Sequence, residues 1–490
     1  MDPGTKAGTL ILAALLLGAG ACAQKEQIVI FATARSEGRL EARPVPSLSN
    51  QMAGGFAVFK KLYDSEKRPK LAVDAGNWFS PTPEGWITKG RSAIACMNAV
   101  PYSAAAAGME DLALSPADLQ KLAESSSMPL LASNLYLRNG KKPGFMQSSS
   151  LVRAGGRKIG FFSVIIASPG KPNRARNLPK YRLEKETYET ERSLKALNDA
   201  GAEVTVMLLS VKPGESAGKD FFRDFLSRVP KIDLVITDEP SVGRPYRVNR
   251  TWVARAGLGM AEAARLTLTL DPATGRMTDL DWERLPLYTK KYGEDKAVLQ
   301  LTGEYRAGAA AHFLKRLGFL NDPLPLAENG TSPVGDFAAD CMRRWAKSNA
   351  AIIGVSEPAA GFSSGTVTLG ALYAAFPRDS SMVFVKIRGD DLEQALAGLQ
   401  PGEISVSGLR LYLKGGALER AESDNGPLSP GRVYRLAVPD SMVGGRDNPV
   451  LSRAMEFANS RRPVRDIIGW CFSRQSSFSR PEGGRITRNQ

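Results

Sequence analysis

Along the first half of this 490-residue chain, short apolar runs of strand length alternate with amphipathic segments of helix length, and that rhythm restricts the fold more than any other feature. QIVIFAT reads as a buried strand, GGFAVFKKLYDSEK as a helix and PKLAVDAG as the next strand. TKGRSAIACMNAV is helical, and the segment from Ser115 to Ser125 opens on an N-cap serine with proline in its first turn. The alternation returns in LEKETYETERSLKALNDAG, EVTVMLLS, GKDFFRDFLSRV and IDLVITD. Such a pattern predicts an α/β fold with helices packed on sheet faces. RLTLTLDPATGRMTDLDWERL then breaks the rhythm with two alternating strands about a turn, a hairpin that closes a domain over residues 26–289. The chain is longer than one core usually serves, so a second domain is expected. Residues 290–327 read as linker and boundary: Lys290 to Phe319 as a long helix ending at KRLGF, then Pro323 and Pro325. A second α/β unit occupies 328–472, and the polar, basic tail 473–490 reads as disordered.

The N-terminus has the form of an export signal over residues 1–21: Lys6, then the apolar run TLILAALLLGAGA, then Cys22. AGA before Cys22 resembles a bacterial lipobox, whose cysteine is lipidated and becomes the mature N-terminus. Ala19 stands where leucine is favoured, so ordinary signal cleavage near this point is the alternative. The expected location is the bacterial cell envelope, periplasmic or outer surface, with the membrane reached through the lipid on Cys22. No other segment is long and apolar enough to span a bilayer. The net charge of +15 suits anionic headgroups or small anionic ligands, while the absence of an Arg-rich helix or an aromatic-and-basic stripe argues against nucleic acid. Of the remaining cysteines, Cys96 and Cys341 lie in apolar helical patterns and read as buried thiols. Cys471 completes no metal-binding spacing, and a disulfide among the three is compatible with export but cannot be assigned.

The stretch LAVDAGNWFSPTPEG, Leu71 to Gly85, has the form of a strand ending at an active site: a carboxylate, a glycine turn, an aromatic. Yet the polar residue after the glycine is Asn77, a weak metal ligand, and the only histidine of the chain is the distant His312. Further segments follow in a recognisable order. SEGRL, AGGFAVFKKL, ACMNAVPYSAAAAGMEDL, VTVMLLS and IDLVITDEPS occur in the first domain, and SPVGDFAADCMRRW, GTVTLGALYAAFP, SVSGLRLYLKGG and YRLAVPDSMVGGRDNPVL in the second. Together they resemble the bacterial 5′-nucleotidase and UDP-sugar hydrolase family, over nearly all of the mature chain. The resemblance implies a calcineurin-like metallophosphoesterase domain, a linker helix and a 5′-nucleotidase C-terminal domain.

The same resemblance implies a degenerate site. Members of that family hold two metals with Asp, Asn and His side chains. Where the family has D-x-H-G this chain reads RSEG, so Arg35 and Glu37 replace both ligands. Asn77 stands at the metal-bridging aspartate, and GMED puts Met109 and Glu110 in the G-N-H-E motif. Val211 replaces the histidine of L-S-H, and DEPS leaves Glu239 and Ser241 in G-H-x-H. In the second domain, VSEPAAGF from Val355 to Phe362 replaces the arginine-bearing N-G-G-x-R loop, and Ser441 takes the place of the base-stacking phenylalanine. The carboxylates Glu37, Glu110, Asp111, Asp238 and Glu239 with Asn77 form a candidate cluster for a hard cation such as Mg²⁺, Ca²⁺ or Mn²⁺. The competing readings are a buried charge cluster with Arg35, or solvated carboxylates at an open cleft. Cys96 lacks a basic neighbour to activate it, and His312 has no partner at metal spacing. The expected function is a non-catalytic binding or interaction protein of the cell envelope, without cofactor, whose ligand or protein partner the sequence does not name. The alternative is a phosphohydrolase with a rebuilt, carboxylate-rich metal site.

Overall fold

The protein is described here by a computed structural model covering residues 26–45, 48–79, 83–166, 180–211, 219–328, 330–378, 380–399, 403–443 and 453–489. The signal segment and Cys22 lie outside the described residues. Among the described residues, no helix is long and apolar enough to cross a membrane.

Two sheets stack face to face in the first domain. In the first sheet Glu26–Ala34 lies parallel to Lys70–Asp74, which continues to Ala104–Ala106 and Leu130–Leu131; on its other side it pairs antiparallel with the hairpin Glu262–Leu270 and Met277–Pro286. The second sheet has parallel strands Arg157–Ile166, Val204–Val211, Leu234–Thr237 and Thr251–Arg255 at its centre. Side chains of a strand alternate between faces, and that period sorts the core into layers. Ile28, Ile30, Leu71 and Val73 meet Phe161, Val206, Leu208 and Ile236 between the sheets. Val29, Phe31 and Ala72 point instead at helices Phe56–Ser65 and Arg91–Ala99. Phe162, Met207 and Leu209 cover helices Glu186–Asp199 and Lys219–Ser227 from the far side. Strands buried on both faces explain why their sequences read as continuous apolar runs.

The second domain is a five-stranded sheet in the order Ile404–Ser407, Ala350–Gly354, Val433–Pro439, Ser381–Arg388, Glu456–Pro463. Helices Pro333–Ala346 and Val464–Phe472 pack on one face and Gly389–Gly398 on the other. Arg465, 2% exposed, lies 4.1 Å from the ring centre of Tyr373 and 5.7 Å from that of Trp86, joining this domain to the first.

Three sequence expectations are corrected. The connecting helix runs Lys296–Phe313, capped by Asp295, which accepts from the amides of Ala297 and Val298. KRLGF is not its end: Arg316–Leu320 is a strand paired antiparallel with Gly365–Thr368, and Gly318 fits because a side chain there would strike Phe472. Cys341 and Cys471 are not separate thiols but a disulfide between the two helices on one sheet face, 130 residues apart in sequence. The tail is ordered. Phe478 is buried against Phe472 and Phe337 (ring centres 5.5 and 5.4 Å apart), and its amide and carbonyl bond to Phe319 and Asn321. Arg485 grips both oxygens of Asp340 at 2.9 and 2.8 Å, and Ile486–Asn489 adds a parallel strand to Leu409–Lys414. Its polar composition concealed a single aromatic anchor.

Phe478→Ala should therefore destabilise the second domain by about 3–5 kcal/mol in urea denaturation. An unchanged midpoint would show that the tail contributes nothing to the core.

Candidate functional site

Three apolar strands end in polar residues at the same edge of the stacked sheets: Asp74 after LAV, Ser210 in VTVMLLSV, and Asp238 directly after LVIT. The carboxyl ends of parallel strands are where α/β folds assemble their sites. Two loops close over this edge. Arg35, Glu37 and Asn77 have positive φ of 52°, 49° and 61°, a conformation that costs non-glycine residues energy and persists only where the surroundings impose it. The imposing contacts are backbone hydrogen bonds from Arg35, Glu37 and Gly38 amides to the carbonyls of Gly76, Asn77 and Trp78. Gly76 and Gly108 let two turns meet with no side chain between them: a Cβ on Gly76 would lie 2.9 Å from the Gly108 amide nitrogen.

At the centre is Asp238, fully buried. Its Oδ2 accepts from Asn77 Nδ2 at 2.7 Å and Ser210 Oγ at 3.2 Å, and its Oδ1 from the Val211 amide at 2.7 Å. Arg35 Nε lies 3.3 Å from the same carboxylate, and Arg35 Nη2 donates to the Val211 carbonyl at 3.2 Å. Burial raises the Asp238 carboxyl to about 6, and the Arg35 charge and three hydrogen bonds restrain the rise. Asn77 Oδ1 accepts from the Glu110 amide at 3.0 Å, so this one side chain ties both sheets to the turn that follows Gly108.

Of the sequence-selected residues, Arg35, Asn77, Val211 and Asp238 form this one hydrogen-bonded locus, with Glu110 joined through its backbone. The six groups of the candidate cation cluster are engaged in different contacts. Asp111 is turned inward and accepts from the amides of Asn77, Phe79 and Gly108 at 2.9, 2.7 and 2.7 Å, so it organises the turn. Burial pushes its carboxyl well above the ordinary range against the pull of those amides. Glu37 pairs with Arg39, while Glu239 is buried and accepts from the Ser241 amide at 2.9 Å. Met109 is buried in the apolar core against the first sheet. Among the described residues, no group of three or more His, Cys, Asp or Glu side chains is arranged to hold a metal ion. Arg35 pairs with Asp238, and Asn77 turns its amide N–H toward the same carboxylate.

The sequence marks the Asp74 carboxylate at its strand end without assigning it a role, and it gives for Ser210 only the signal of a polar residue near the end of an apolar strand. Asp74 accepts from Thr33 Oγ1 at 2.7 Å and the Gly76 amide at 2.8 Å, and Thr33 in turn meets the Tyr102 hydroxyl at 2.8 Å. Burial lifts the Asp74 carboxyl to about 7, with the charge of Asp238 adding to it. Cys96 is a buried free thiol pushed up to about 12 by burial, while His312 is exposed. In the second domain Ser441 Oγ donates to the buried Glu357 at 3.0 Å, bringing the two substituted motifs together. Arg378 approaches that carboxylate at 3.8 Å, a basic residue supplied by a different segment from Val355–Phe362.

Residues 316–453 match the family model described as 5′-nucleotidase, C-terminal domain. No curated protein sequence matches the chain significantly. Solved structures share its fold almost end to end. A 5′-nucleotidase precursor from Thermus thermophilus is 18% identical with a TM-score of 0.64, covering 94% of this chain and 99% of its own. A putative 5′-nucleotidase from Staphylococcus aureus is 12% identical with a TM-score of 0.71, covering 95% and 100%. The NAD nucleotidase of Haemophilus influenzae is 14% identical with a TM-score of 0.61, covering 95% and 99%. The architecture is shared with these two-domain structures over nearly their whole length, and the family-model match falls within the second domain and the strand that leads into it.

The raised Asp74 carboxyl has a testable sign. A carboxyl that binds its proton more tightly when folded adds stability that is full below about pH 4 and is lost as pH rises through about 7. Between pH 5 and 8 the wild type should lose ~3 kcal/mol through this group, and Asp74→Asn should not. Urea denaturation at both pH values measures the difference, and identical pH slopes would mean that Asp74 stays ionised.

Proposed function

We propose that this chain is a 5′-nucleotidase-fold protein of the cell envelope that has lost phosphoesterase chemistry and acts by binding a ligand or an envelope protein. The observation that carries this reading is the Arg35–Asp238 pair, with Asn77 and Ser210 bonded to the same carboxylate. A divalent ion about 4 Å from the Arg35 guanidinium would meet on the order of 8 kcal/mol of repulsion at an effective dielectric constant of 20. The Asp238 carboxylate is already paired with Arg35, so it offers little attraction to offset that cost. The fold alone does not restore the activity, because function resides in the site. In the second domain, the Ser441–Glu357 hydrogen bond supports the same conclusion, since neither side chain offers a nucleobase a stacking face. Export and lipidation at Cys22 complete the proposal and rest on the sequence of residues 1–22.

The full mature chain should release no phosphate from a panel of nucleotides and UDP-sugars with Mg²⁺, Mn²⁺, Ca²⁺, Co²⁺ or Zn²⁺ added singly. Turnover lost in the combined Glu37→Gln, Glu110→Gln, Glu239→Gln variant would establish the rebuilt hydrolase instead. A mass spectrum of the membrane-extracted N-terminal peptide should carry acyl chains on Cys22, and an unmodified cysteine there would remove the anchor.

A further inference from the structure

A second, separate feature lies where the loop after the first strand meets the connecting helix. A cavity of about 190 Å³ is lined there by Arg39, Glu41, Arg43, Thr302 and Arg306. Three arginines line this one space, from a loop and from a helix more than 250 residues later. Arg39 pairs with Glu37, and Arg306 with Glu41 at 2.6 Å. Arg43 has no ion pair among the described residues. Its Nη2 donates to the Gly259 carbonyl at 2.9 Å, and its Nη1 is buried with no acceptor. A methyl group on Gly259 would lie 3.8 Å from Arg43 Nη2 and 3.9 Å from Arg39 Nη1, so both cations face the same spot. Two like charges held that close, one with a buried unsatisfied N–H, are unfavourable by themselves. Burial and the Arg39 charge hold the Arg43 guanidinium below its ordinary range.

We propose that Arg39, Arg43 and Arg306 form a binding site for a small oxyanion, a phosphate or carboxylate group. Planar guanidinium forks match such groups with paired, charge-assisted hydrogen bonds, and Arg43 Nη1 carries donors that no protein acceptor uses. The three arginines outnumber Glu37 and Glu41 by one charge, which suits an anion. The size of the space decides against a whole nucleotide, because pockets for drug-sized ligands begin at about 300 Å³. A bound anion would bridge the connecting helix and the loop that carries Arg35. The site is independent of turnover at the Asp238 locus and stands whether or not the chain hydrolyses phosphate esters.

The test is thermal unfolding of the full mature chain against inorganic phosphate, sulfate and succinate, with chloride holding ionic strength constant. Phosphate, succinate or both should raise the midpoint saturably, and which one does so separates the two ligand chemistries. Arg43→Ala should weaken that binding by about tenfold or more, and Arg43→Lys, which keeps charge without the fork, by less. Arg306→Ala changes an exposed side chain and should weaken binding too, so a folding defect in Arg43→Ala leaves the proposal open to refutation. No saturable rise with any of the three anions would overturn the proposal. Equal rises in the wild type and in both alanine variants would do the same.

Discussion

The buried Asp238 carboxylate joins the two halves of the first domain. Its strand belongs to the second sheet, while Asn77 and Arg35, which bond to it, follow strands of the first. The core between the sheets is a layer of apolar side chains, whose contacts are indifferent to small sliding movements. The hydrogen bonds from Asn77 to Asp238 and from Arg35 to the Val211 carbonyl are directional, so they fix how the strand ends of one sheet face those of the other. A buried ion pair contributes little net stability compared with an apolar replacement, yet removing one partner typically costs about 3–5 kcal/mol. The network is therefore better understood as a device for register than as a source of stability.

That device occupies the edge where the α/β architecture concentrates polar side chains. Strand ends leave backbone amides unpaired, and the carboxylates here consume them: Asp111 takes three, Asp238 takes Val211, Asp74 takes Gly76. A carboxylate whose lone pairs are spent on amides has little left for a metal ion. Arg35, Glu37 and Asn77 nevertheless keep left-handed backbone conformations.

Much of the architecture was legible in the sequence because burial on both sheet faces makes strands read as apolar runs. Helix starts were legible where a cap was present, as at Ser115, which accepts from the Asp118 amide. The errors came from segments whose structure depends on distant partners. KRLGF carries no strand signal alone and becomes a strand by pairing with Gly365–Thr368. The tail's composition gave no hint that Phe478 would find Phe472 and Phe337. The disulfide of Cys341 and Cys471 depends on two helices packing side by side.

By itself the sequence determined the α/β class, the packing of helices on sheet faces in the first domain and the absence of histidine from every strand end. Those properties follow from periodicity and residue identity, which are local. Only the tertiary structure decided what the substituted residues do: that Glu37 turns to Arg39 while Arg35 turns to Asp238, that Asp111 faces inward, and that Arg43 shares a cavity with Arg306. A carboxylate's role depends on which donors surround it within about 3 Å. Those donors come from segments that the chain brings together only by folding.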